Sequence, residues 1–142
     1  MKTLVVDASA ASSWLLASQS TAPARHLLET LDDYDLIAPD VFQWEIGSLL
    51  VRQSRRDAGF DLFQAFARLD EYEIGLAPAL AGADVRRIAF LASGRGLSLF
   101  DTAYLWLTLE RDAGLASRDA DLLNAVADAG QDVLDLREKE RP

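Results

Sequence analysis

Short runs of apolar residues alternate along this chain with longer stretches in which apolar positions recur every three or four residues. Thr3-Leu4-Val5-Val6 is a continuous β-rich run of the kind found in strands buried on both faces, and it ends at Asp7. Ala8 to Ala17 predicts a helix, and Pro23 to Leu31 another, with Leu27, Leu28 and Leu31 at helical spacing. Leu36-Ile37-Ala38 is a second short strand, closed by Pro39. Asp40 is placed to cap a helix from Val41 to about Arg56, and Gly59 separates it from a helix through Phe63, Phe66 and Leu69. Glu73 to Leu76 predicts a third strand, followed by a helix from Ala79 to Ala92 that stops near Gly94 and Gly96. Phe100 to Arg111 has almost no polar face, so this helix is expected to be largely buried. Leu115-Ala116-Ser117 is a fourth strand, Asp121 to Ala129 a helix, and Asp132 to Leu136 a last strand.

Strands separated by helices imply right-handed crossovers and a mainly parallel sheet covered on both faces, so the fold class is α/β. No repeat, low-complexity tract or Pro/Gly-rich linker divides the chain, and one domain over residues 1–142 is expected. Trp14, Trp44 and Trp106 fall at helical core spacing and are expected to pack inside. His26 sits in a helical pattern with no adjacent nucleophile, which points to a surface position without catalytic use.

Composition narrows the chemistry. There is no cysteine, so disulfides and thiolate metal sites are excluded, and a bound metal must be held by oxygen or by His26. That favours a hard cation such as Mg²⁺ or Mn²⁺. The apolar run after Lys2 is too short for a signal peptide and no stretch is long enough to span a membrane, so a cytoplasmic protein is expected. A net charge of −9 argues against the broad basic surface of most nucleic-acid binders. It remains compatible with such a ligand if the negative charge is gathered where metal ions neutralise it, or if a local basic stripe supplies the attraction.

In open parallel sheets, ligands collect outside the carboxyl ends of the strands. Asp7 and Asp119 both fall just after a predicted strand, Asp101 opens a helix, and Glu45 lies one turn into its helix. Each has an ordinary structural explanation too. Asp7 and Asp101 suit helix caps, Asp119 or Asp121 suits a helix macrodipole, and Glu45, read as lying on the side away from Phe42, Ile46, Leu49 and Leu50, suits a solvated surface. Convergence of the four is what gives them a functional reading. Two carboxylates about 4 Å apart repel by roughly 4 kcal/mol at an effective dielectric near 20, so such a cluster needs protons or cations.

These residues resemble the PIN domains, and among them the VapC-type toxins of bacterial and archaeal toxin-antitoxin pairs. Val5-Val6-Asp7-Ala8-Ser9, with Trp14-Leu15 following, is similar to the family's opening motif, and Ala38-Pro39-Asp40 with Glu45 to its second. Gly96 to Leu105 resembles the most distinctive stretch, and Leu115 to Leu122 the last motif. Gly47-Ser48 makes a weak match where a small polar residue commonly follows the Glu, and Ser117 keeps the hydroxyl of the usual Thr. The resemblance implies a three-layer α/β/α sandwich and Mg²⁺- or Mn²⁺-dependent cleavage of RNA, with Asp7, Glu45, Asp101 and Asp119 as the catalytic and metal-binding acids. Metal-activated water would leave 5′-phosphate and 3′-hydroxyl ends. A homodimer and a cognate VapB-type antitoxin are implied as partners.

Arg52 lies two turns beyond Glu45 on the same helix face, so Arg52 and Arg56 are candidate RNA contacts, with Ser9 beside the first acid; Arg86, Arg87 and Arg95 extend the list. Two other readings are an inactive PIN-like binding module and an aspartate-based phosphatase. The latter usually has a second Asp two residues after the first, where Ser9 stands, and a lysine for which only Lys2 and Lys139 are available.

Overall fold

The computed structural model describes residues 1–138. Lys139 lies outside the described residues. The chain runs β1 (Lys2–Val6), α1 (Ala8–Leu15), α2 (Ala22–Glu29), β2 (Tyr34–Ala38), α3 (Val41–Arg56), α4 (Leu62–Glu71), β3 (Gly75–Leu76), α5 (Gly82–Arg95), α6 (Leu99–Arg111), β4 (Gly114–Ser117), α7 (Ala120–Asp128) and β5 (Val133–Asp135). Single 3-10 turns at Ala17–Gln19 and Leu31–Asp33 join α1 to α2 and α2 to β2. All strand pairs are parallel, in the order β3-β2-β1-β4-β5.

That order fixes the layers. The chain steps from β1 outward through β2 to β3, returns past β1 to β4, and steps outward again to β5. With right-handed crossovers, steps in opposite directions place their helices on opposite faces. In agreement, α1 packs with α2, α3 and α4, whereas α6 packs with α5 and α7. The result is an α/β/α sandwich. Leu4, Val5 and Val6 of the central strand, Leu115 and Ala116 of β4, and Leu122 and Val126 of α7 are all buried in its core.

Several expected boundaries shift for local reasons. Glu73 cannot belong to β3 because its φ is 54°, a left-handed turn residue, and the edge strand shrinks to Gly75–Leu76. Ala79 to Ala81 stay outside α5, which runs on to Arg95 and ends where Gly96 takes φ 67°. Asp40 does not cap α3: it has helical dihedrals, and its carboxylate accepts from the Gln43 side chain at 2.7 Å instead of from a backbone N–H. Asp101 does not cap α6 either. Ser98 does so, accepting from the Asp101 N–H at 3.1 Å, which moves Asp101 into the first turn.

The α6 helix is less enclosed than its composition suggests. Tyr104, Leu105 and Thr108 are buried, but Phe100 is 54% exposed and Leu99 and Leu109 also face solvent. Trp14 packs inside as expected, donating to the Ala24 carbonyl at 2.9 Å and meeting Tyr72 edge-on. Trp44 does not pack inside; it is 75% exposed. With about 100° between successive helical residues, Trp44 falls opposite the buried stripe of Phe42, Ile46 and Leu50. His26 is on the surface.

Candidate active site

The point where the chain order reverses lies between β1 and β4, and the carboxyl ends of these two strands define a crevice. Val6 pairs with Ala116, and the Asp7 N–H continues the ladder to the Ala116 carbonyl at 3.4 Å. One step beyond that pair stand Asp7 and Ser117, both buried.

Asp7 is only 5% exposed, and its carboxylate is held from three sides. Oδ1 accepts from the Ser9 hydroxyl at 2.7 Å and from the Ala10 N–H at 2.8 Å, so Asp7 is also the cap of α1. Oδ2 accepts from the Ser117 hydroxyl at 2.5 Å. Both hydroxyls are in turn oriented by the loop after β4: the Arg118 N–H donates to Ser9 Oγ at 2.8 Å and the Asp119 N–H to Ser117 Oγ at 2.9 Å. Each serine thus accepts from one backbone N–H and donates its hydroxyl to Asp7. Burial outweighs these hydrogen bonds and, with a smaller contribution from Asp119, pushes the Asp7 carboxyl up to about 6.

The other acids come from three further segments. Glu45 of α3 accepts the Tyr104 hydroxyl at 2.8 Å on Oε1; burial raises its carboxyl, the tyrosine lowers it, and Asp101 raises it again. The sequence-based placement of Glu45 opposite the apolar stripe is corrected here. On the helical projection it lies beside Leu49, at the edge of the buried face, and it is half-buried. Asp101 is raised by burial and by Asp119, is lowered by its contact with Ser98, and is raised a little by Asp121. Asp119 caps α7, accepting from the Leu122 N–H at 3.0 Å on Oδ1.

Asp7, Glu45, Asp101 and Asp119 line one open groove of about 630 Å³, together with Ser9, Ser12, Gln19, Trp44, Ser48, Leu49, Arg52, Phe100, Tyr104 and Arg118. Asp121 is exposed and borders a different hollow, with Arg95 and Asp128. Of the expected RNA contacts, Ser9 and Arg52 line the groove and Arg56 does not. Arg87 pairs with Asp84 away from it. Gln19, Phe100, Tyr104 and Arg118 also line the groove, although residue type alone does not mark them as site residues. For Arg118 the signal was its position beside Asp119; for Tyr104 it was spacing, one turn from Asp101 on α6.

The donor chemistry suits a hard divalent cation. All donors are carboxylate oxygens, no Lys or Arg forms a salt bridge with any of the four acids among the described residues, and the acids hinder one another's ionisation. Among the described residues no three acidic or histidine side chains converge closely enough to hold an ion as they stand. Joint ligation by three of them therefore requires side-chain movement from these positions. Among the described residues no lysine stands beside Asp7 as a phosphatase-type arrangement requires. Lys2 opens β1 at the end opposite Asp7, about five strand residues or roughly 17 Å away.

The PIN domain family model matches residues 4–128, and the chain belongs to this family. PIN domains are generally nucleases and generally use divalent metal ions. Among solved structures, the chain is similar to PAE2754 from Pyrobaculum aerophilum, with a TM-score of 0.68 and 19% sequence identity over 94% of this chain and 90% of that one. Curated proteins yield no match. No helix among the described residues is long and apolar enough to cross a membrane.

Proposed function

We propose that this chain is a single-domain, cytoplasmic Mg²⁺- or Mn²⁺-dependent endoribonuclease, the toxin of a VapBC-type pair, that works as a homodimer and is restrained by a basic antitoxin tail. The observation that carries this reading is the gathering of four carboxylates, from four separate segments, into one groove at the switch point of the sheet.

Asp7 is the anchor of the site. Its carboxylate is fixed by Ser9, Ser117 and the Ala10 N–H, so it loses little freedom on binding a cation, and at neutral pH it is largely ionised in spite of burial. Asp101 and Asp119 supply further negative charge in the same groove, and the cap of α7 engages Oδ1 of Asp119 and leaves Oδ2 without a hydrogen bond among the described residues. Tyr104 occupies Oε1 of Glu45, which leaves Oε2 to accept a proton from the attacking water and aim it. When bound, the metal supplies Lewis acidity to the scissile phosphate and offsets charge on the leaving oxygen.

The test is incubation of labelled RNA with Mn²⁺ or Mg²⁺. Cleavage with 5′-phosphate and 3′-hydroxyl ends, lost with chelator and in Asp7→Asn, is expected; 2′,3′-cyclic phosphate products would refute the mechanism. An inactive binding module would show no metal-dependent cleavage and no loss of Mn²⁺ binding in Asp7→Asn. For the toxin role, induced expression should arrest growth and co-expression of a small neighbouring gene with a basic tail should relieve it.

A further inference from the structure

Arg118 carries a full positive charge in the wall of an acidic groove, yet it serves none of the acids. Its Nε donates to the Ser9 carbonyl at 3.0 Å, and Nη2 donates to Gln19 Oε1 at 2.5 Å and more weakly to Ser12 Oγ at 3.4 Å. All three acceptors are neutral oxygens. Nη1 makes no hydrogen bond among the described residues, and Arg118 forms no salt bridge there.

We infer that Arg118 is a substrate-phosphate contact, its fork pre-set by Ser9, Ser12 and Gln19 so that Nη1 meets a backbone phosphate lying next to the acidic site. This deepens the ribonuclease reading and rests on it. Three features support it. A guanidinium presents its donors in a planar fork that matches phosphate oxygens. Anchoring Nε and Nη2 beforehand removes side-chain entropy that an exposed arginine such as Arg52 loses on binding. Finally, the anchor reaches Arg118 through the main chain and hydroxyl of α1, the helix that Asp7 caps, so the phosphate contact and the first acid are held by one element.

Arg118 also clamps α1 and the Ala17–Gln19 turn to the loop after β4, so the experiment must separate holding from binding. Steady-state cleavage of a fluorescein-labelled unstructured RNA oligonucleotide with Mn²⁺ is measured over a range of salt for wild type, Arg118→Gln, Arg118→Lys and Gln19→Met. A phosphate contact predicts that Arg118→Gln raises KM about tenfold, leaves kcat within about twofold, and makes the log-log salt slope shallower by about 1, with Mn²⁺ affinity unchanged. Arg118→Lys should keep the salt slope, and Gln19→Met, which loosens the clamp but keeps the charge, should keep it too. A fall in kcat with unchanged KM and salt slope, or the same loss in Gln19→Met, would reduce Arg118 to a clamp and overturn the assignment. If Arg118→Gln does not fold, the Nε–H resonance of Arg118 in wild-type protein decides: it should shift on titration with the same RNA, and no shift overturns the contact. Wild-type protein that neither binds nor cleaves RNA overturns the ribonuclease reading and this contact together; wild-type cleavage with Arg118→Gln unaltered overturns the contact alone.

Discussion

The Tyr104 hydroxyl meets Oε1 of Glu45 at 2.8 Å, joining α6 to α3 where both line the acidic groove. The phenol is buried, and its own ionisation is pushed strongly upward by burial and by Glu45 and opposed by a backbone contact with Ala8, so it stays protonated and donates to Glu45. Tyr104→Phe keeps the ring and removes the donor. Glu45 then loses the contact that favours its charged form, and its carboxyl rises. We expect folding to persist at a cost of roughly 1 kcal/mol, cleavage at neutral pH to fall roughly three- to tenfold, and the acid limb of the pH profile to move to higher pH. An unmoved acid limb would argue against Glu45 as an ionised participant.

Asp7 makes the metal-free protein sensitive to pH. Its folded carboxyl is pushed up to about 6, above the ordinary 3.8, so the fold favours the protonated form. The stability this contributes is fully present below pH 3.8 and is lost as pH rises through about 6. Ionising the buried group costs about 3 kcal/mol at neutral pH. Asp7→Asn should therefore raise the midpoint of urea unfolding at about pH 7.5 without metal, bring little gain near pH 4, and abolish stabilisation by Mn²⁺. Parallel curves for the two proteins at both pH values would show that Asp7 is not the buried acid described.

Ser117 donates a hydrogen bond to Asp7 while accepting one from the Asp119 N–H. Ser117→Ala breaks both bonds in a fully buried position. A loss of about 1–3 kcal/mol is expected from thermal or denaturant unfolding, with weaker Mn²⁺ binding that recovers as pH is raised, because Asp7 ionises less readily without this donor.

Asp119 and Asp121 are neighbours with different surroundings. Asp119→Asn keeps a residue able to cap α7 but removes a groove carboxylate, so activity should fall by at least about 100-fold with little change in melting temperature. Asp121→Asn should stay within about threefold of wild type, since Asp121 reaches the site only through a weak influence on Asp101. Equal losses in both would mean that either acid can serve.

Much of the fold was legible because each strand is a short apolar run and each helix a periodic one; β1, β2, β4 and the full length of α3 follow directly from that pattern. Helix caps were harder to place. Asp40 and Asp101 have the right residue type, but a cap needs the side chain to reach a backbone N–H, and Ser98, three residues before Asp101, gets there first. The four acids were named from motif and position, and the structure brings all four to one groove. The environment of each acid was not legible. Glu45 required a helical projection to separate it from its neighbour Trp44, and the Tyr104 contact joins residues 59 positions apart, a separation on which local patterns are silent.

The strand order also sets when the groove can exist during synthesis. Asp7 and its helix emerge first, but the wall that holds Ser117, Arg118 and Asp119 arrives only after the chain has built β2 and β3 and come back across β1. A nascent or truncated polypeptide that stops short of β4 has Asp7 without the Ser117 hydroxyl and without the fourth acid. The complete groove therefore forms only after β4 and the residues that follow it have paired beside β1.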